Sequence, residues 1–268
     1  RPDKLDVDSW VQIARDAGMT YAVLTTKHVA GHCLWPTRFT DYNVTKSGNT
    51  TDAVGAFVKA CAKHGIKPGF YYCSWDNHNR FGSRTPSDKP GFSEAYTTSV
   101  YQTFQTNQIT ELLTQYGTIA EMWVDIPGVL GRGYRTFLYR TIAGLQPDCI
   151  IMMNNGFYDK DLYDIAYAWP SDLMAIERGL PAGGAFSKWR EIEGRRYCIP
   201  GEVCDPLGKD WFYVGGDKPR PDADLAGQLT RCLENRINLL LDVPPDTQGL
   251  IPVESRKALM RLHQNVKL

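Results

Sequence analysis

Short apolar runs and longer amphipathic stretches alternate along the whole chain, and this alternation constrains the fold more than any other feature. Tyr21–Thr26, Lys67–Tyr72, Ile119–Val124, Cys149–Met153 and Ile237–Leu241 read as buried strands. Between and around them lie helical patterns at about Asp8–Ala17, Thr51–His64, Tyr96–Tyr116, Arg132–Leu145, Asp222–Asn235 and Val253–Gln264. Gly18 and Gly65 stand where a left-handed residue is expected to end a helix. Strands joined through helices rather than two-residue turns run parallel, because a parallel crossover needs a dozen or more residues. Two weaker strands, Asp164–Trp169 and Tyr197–Pro200, bring the number to about seven, and the chain opens on a helix. The expected fold is α/β: a (β/α)8-type TIM barrel occupying residues 1–268 as one domain, with its first strand missing or upstream. A doubly wound open sheet is the competing architecture, but no G-x-G-x-x-G follows the first strand.

The length of 268 residues suits one such domain. Thirty basic residues balance thirty acidic ones, which argues against a nucleic-acid footprint or a polybasic membrane patch. No run of 18 apolar residues predicts a membrane span. Seven cysteines occur without a C-x-x-C pair, so structural zinc and thioredoxin-type chemistry are poor readings. H-E-x-x-H and G-x-S-x-G are also absent, which disfavours zinc-peptidase and serine-esterase chemistry. No cofactor or metal is expected. The chain begins Arg1-Pro2-Asp3 rather than with Met and is read as a processed or trimmed product.

In a barrel, catalytic groups sit at the C-terminal ends of strands. That rule selects Lys27, His28 and His32 after the first strand, then Trp75 and Asp76, Asp125, Asn154 and Asn155, Glu202, and Asp242; Glu177 falls in a loop after the Asp164 strand. Glycoside hydrolysis needs two carboxyl groups flanking the scissile bond, and Asp125, Glu177 and Glu202 are the carboxyl candidates. Each has a plainer reading. A lone Asp at a strand end is usually a helix cap, a lone loop Glu is usually solvated, and Glu202 before Val203-Cys204 could be buried and paired. His28 could be a core histidine, and Asp242 before Val243-Pro244-Pro245 reads most simply as a loop cap. Asp125 stands out because it follows Trp123 and opens a loop at Ile126-Pro127-Gly128. Aromatic rings beside polar strand ends suit sugar C–H faces, which places His28, Trp35, Tyr72, Trp75 and Trp123 on the expected pocket wall, with Trp211 beside them.

These residues sit in a longer pattern. Tyr21 to His28, Cys33-Leu34-Trp35-Pro36 with Thr40 to Val44, Lys67 to Tyr72, Glu111 to Gly117, and Asn238 to Val243 with Pro245-Asp246 and Gly249 together resemble the family 29 glycoside hydrolases, the α-L-fucosidases. The resemblance runs from about Pro2 to Gln264. It implies a retaining exo-hydrolase that removes terminal α-L-fucose, or a relative such as α-L-galactose, from an oligosaccharide or polysaccharide. It implies Asp125 as nucleophile, Glu177 as acid/base, and Glu202 as a sugar-binding residue or the alternative acid. A secreted, periplasmic or lysosome-like compartment is expected. The chain departs from the family pattern at Val29-Ala30, at Gly156, and at Ile126, where a Gly usually follows the nucleophile. Those departures motivate the alternative of a barrel that binds carbohydrate without cleaving it.

Overall fold

The structure is a computed structural model that describes residues 2–79, 94–154, 168–180 and 186–266. Helix α1 (Val7–Asp16) starts at Asp6, whose carboxylate accepts from the Ser9 N–H at 3.0 Å. Strand β1 (Tyr21–Lys27) follows. Helix α2 (Ala53–His64) starts at Asp52, which accepts from the Gly55 N–H at 2.9 Å, and ends at Gly65 with φ 70°. Then come β2 (Lys67–Cys73), α3 (Ser99–Gln115), β3 (Glu121–Asp125), α4 (Arg132–Leu145) and β4 (Ile150–Asn154). Strands β1 to β4 pair in order, all parallel.

The second half differs from the expected layout. β5 (Met174–Glu177) is a strand where a loop was expected, so Glu177 ends a strand. β6 (Trp189–Ile192) and β7 (Arg195–Cys198) form an antiparallel hairpin. Its turn residues, Glu193 and Gly194, have φ of 53° and 74°, as a two-residue type I′ turn requires. The strand expected at Tyr197–Pro200 therefore belongs half to this hairpin. The parallel strand is β8 (Gly201–Pro206), followed by α5 (Asp222–Glu234), β9 (Asn238–Asp242) and α6 (Val253–Asn265). The expected Asp164–Trp169 strand lies mostly outside the described residues. β5, β8 and β9 form a second parallel sheet, and a bridge from Met152 to Leu173 links β4 to the start of β5.

The result is a mixed α/β fold with, among the described residues, seven parallel strands in two partial sheets. Among the described residues no ladder joins β9 back to β1, so a closed barrel is not formed. The two sheets nevertheless share an interior. Val23 of β1, Tyr71 of β2, Trp123 of β3, Met152 of β4, Ala175 of β5, Cys204 of β8 and Leu240 of β9 pack into one cluster. Alternate residues point the other way: Phe70, Tyr72, Met122, Val124, Ile151 and Met153 join the larger core under α2, α3 and α4. α1, α5 and α6 pack a third cluster on Leu207, Leu225 and Leu259. Among the described residues no helix is long and apolar enough to cross a membrane.

Candidate active site

Because side chains alternate along a strand, the shared interior is layered. The middle layer is the apolar cluster around Trp123. Two residues earlier on the same faces lie Tyr21, Glu121 and Glu202, at the strand starts. Two residues later, at the C-terminal ends, lie Asp125, Asn154, Glu177 and Asp242. Three carboxyls and an amide thus share the inward face at the strand ends.

Asn154 ties two of them together. Its Nδ2 donates to Asp125 Oδ1 at 2.7 Å and to Glu177 Oε1 at 2.9 Å. Two oxygens sharing one nitrogen can stand no farther apart than the sum of those distances. This is compatible with the roughly 5–5.5 Å carboxyl separation of retaining glycosidases. The Tyr71 hydroxyl donates to the other Asp125 oxygen, so each oxygen of that carboxylate has its own donor. Burial raises Glu177 above the ordinary carboxyl range; the Asn154 bond opposes this, the Asp125 charge adds to it, and Arg178 opposes it. Glu177 is therefore biased toward holding a proton.

Aromatic rings surround this centre. Tyr71 stacks on Trp123 with centroids 5.2 Å apart, and His28 stacks on Tyr71 at 5.6 Å. Phe212 meets the His28 ring edge-on at 5.0 Å and is 58% exposed. Burial lowers the His28 pKa, with Asp125 pulling the other way, which favours a neutral imidazole. Arg178, next to Glu177, has φ 63°; its guanidinium lies 4.6 Å from the Trp211 ring and donates to the Lys209 carbonyl at 2.9 Å. Of the expected wall residues, His28 thus stands beside the carboxyl site, and Trp211 is linked to it through Arg178. Trp75 is half-buried, with its indole N–H on Asn77 at 2.8 Å and its ring tilted on Tyr96.

Several sequence expectations are corrected. Glu202 is the second residue of β8, not the residue after a strand. It lies 1% exposed in the starting layer, where it accepts from the Tyr21 hydroxyl at 2.5 Å and the Trp123 indole at 3.2 Å and shares a hydrogen bond with Glu121. Trp35 and Tyr72 are fully buried on the outer face, donating to Glu111 at 3.1 Å and Gln108 at 2.8 Å, so neither lines a pocket. Trp123 is 4% exposed and forms the floor rather than the wall. Lys27 and Asp76 pair with each other at 2.9 Å, both fully buried, and His32 bonds Ser47 at 2.8 Å. Asn155 and Gly156 lie outside the described residues. Sequence reasoning missed Tyr71, Arg178 and Phe212. None of the three carried a deciding signal: for Tyr71, the close approach of Gly69, two residues before it, to Val23 and Glu121 is visible only once the strand register is known.

Two carboxyls held close enough to flank one bond are what glycoside hydrolysis requires. The comparisons agree with that class. The sequence model described as Alpha-L-fucosidase matches residues 1–267, and the chain belongs to this family of glycoside hydrolases. The chain is 31% identical over 271 residues to Alpha-L-fucosidase 1 of Arabidopsis thaliana, a match covering 96% of this chain and 51% of the relative. Among solved structures, it is similar to alpha-L-fucosidase isoenzyme 1 from Paenibacillus thiaminolyticus, with TM-score 0.79 and 28% identity, covering 98% of this chain and 63% of that one. A putative alpha-L-fucosidase from Bacteroides thetaiotaomicron matches with TM-score 0.79 and 28% identity, covering 98% and 58%. The chain spans about half the length of the curated relatives it matches.

Proposed function

We propose that the protein is a retaining exo-glycoside hydrolase that releases terminal α-L-fucose from glycans, working within a (β/α)8-type barrel as a single catalytic domain. The observation that carries this reading is the Asn154 amide bonded at once to Asp125 and Glu177. In the first step Asp125 attacks the anomeric carbon, and the bond to the leaving oxygen breaks as that oxygen takes the Glu177 proton. In the second step Glu177 removes a proton from water, which attacks the same carbon and frees Asp125. Two inversions give net retention. Asn154 fixes both carboxyls, and Tyr71 orients the attacking carboxylate. His28, Phe212 and Trp211 offer ring faces and edges to the sugar.

The test is hydrolysis of an aryl α-L-fucoside, with the first-formed anomer followed by NMR. α-L-Fucose is expected first. Asp125→Asn should lower kcat by more than about 1,000-fold. Glu177→Ala should regain turnover with azide and yield the α-azide, whereas Glu202→Ala should not be rescued. A parent no faster than Asp125→Asn on α-L-fucosides and α-L-galactosides overturns hydrolysis in favour of a carbohydrate-binding barrel. Better turnover of the α-L-galactoside moves the glycone to that relative.

A further inference from the structure

Building on that reading of the site, we infer that Asp242 is a third carboxyl of the sugar pocket, a hydrogen-bond partner for a ring hydroxyl of the sugar whose bond is cleaved. Asp242 closes β9. Leu240, two residues earlier on the same face, packs in the interior cluster with Trp123 and Cys204, so the Asp242 side chain rises from that face to the level of Asp125 and Glu177. The Cys204 thiol reports the same convergence: besides burial, it feels the charges of Glu202, Asp242, Glu177 and Asp125.

One oxygen of this carboxyl is left unused: Asp242 Oδ2 is shut off from solvent and, among the described residues, has no hydrogen-bond partner. Buried polar atoms are seldom left unpartnered, so this one calls for an explanation. The loop-cap role expected from sequence is filled instead by Asp246, whose carboxylate accepts from Gln248 and Leu250 N–H groups at 2.8 and 3.0 Å. Arg178, the cation that bears on Asp242 among the described residues, is engaged by the Lys209 carbonyl and the Trp211 ring. Burial pushes the Asp242 carboxyl up to about 7, so near neutral pH it can donate as well as accept, as a sugar hydroxyl does. Asn154 bonds Asp125 and Glu177, which separates Asp242 from the reacting pair and leaves it for binding.

The experiment compares Asp242→Ala and Asp242→Asn with the parent enzyme in three readouts: kcat and KM on an aryl α-L-fucoside, affinity for free L-fucose by titration calorimetry, and Tm. In the alanine variant, KM and the L-fucose Kd should rise about ten-fold or more while kcat changes much less, the pattern of lost binding. The asparagine variant should lose less, since an amide still bonds a hydroxyl. Tm should not fall in either, because a buried carboxyl with an unpartnered oxygen has been removed. Unchanged KM and Kd in the alanine variant overturn the inference, and a lowered Tm with unchanged KM makes Asp242 structural. A parent that binds L-fucose without hydrolysing the aryl fucoside fails the hydrolase reading alone, and the Kd comparison then decides Asp242. A parent that neither binds nor hydrolyses fails both.

Discussion

Asn154 holds two carboxyl groups with a single side-chain nitrogen, and it does so from the end of β4, midway between the strands that carry them. An amide suits this position because it donates twice without adding charge. Asn154→Ala should lower kcat about 10- to 100-fold with a smaller change in KM, since orientation is lost while the sugar-facing rings remain; equal kcat would remove Asn154 from the mechanism. A second pair, Glu121 and Glu202, lies at the opposite end of the interior. Burial raises both carboxyls, Glu121 well above its ordinary value with Glu202 adding to it. A raised acid binds more protons folded than unfolded. Its stabilisation is therefore complete below the ordinary glutamate value and is lost as pH rises through the raised ones. Glu121→Gln should raise Tm relative to the parent at about pH 8 and give little or no gain at about pH 5; a constant difference across that range would contradict the raised carboxyls. Asp125 was legible because a carboxylate after an apolar strand and before Ile126-Pro127 marks a strand end. Tyr71 was not, because choosing between it and Tyr72 depends on strand parity, and one residue of register exchanges the faces.

At the scale of elements, what the chain encodes locally is what could be read from it. Asp6 and Asp52 cap helix starts, Gly65 ends α2, and the observed helix ends lie within about three residues of the sequence-based ones. Gly65 has φ 70° and open space where a Cβ would point. Gly65→Ala should therefore cost about 1 kcal/mol, all of it backbone conformation, measured by denaturant unfolding; no change in midpoint would mean that the C-cap is relaxed in solution. The misreading of β7 and β8 had a local cause. The Glu193-Gly194 turn was not recognised, so one strand was drawn across the end of the hairpin and the start of β8. That shift placed Glu202 at a C-terminal end, when it lies one residue inside the start of β8. Glu177 met the opposite error: expected in a loop, it ends β5, which fixes its side chain against Asn154.

At the scale of the molecule, two partial parallel sheets share one layered interior, and the layers separate chemistry by depth. A buried carboxyl pair, Glu121 and Glu202, lies at the strand starts, aromatic and apolar side chains form the floor, and Asp125, Asn154, Glu177 and Asp242 face inward at the strand ends. The parallel class was legible because helices separate the strands, and the expectation of a missing first strand agrees with the unjoined edges of β9 and β1 among the described residues; the division into two partial sheets was not legible, since strand pairing is a long-range property. The family match over residues 1–267 fits this arrangement. The most direct test of the central claim is peptide mass mapping after incubation with 2-deoxy-2-fluoro-α-L-fucosyl fluoride, whose fluorine slows breakdown of a covalent glycosyl-enzyme. A fluorofucosyl ester on the peptide carrying Asp125, absent in Asp125→Asn, is the predicted result. An adduct on Glu177, Glu202 or Asp242, or hydrolysis of the parent substrate with inversion and no adduct, would contradict it.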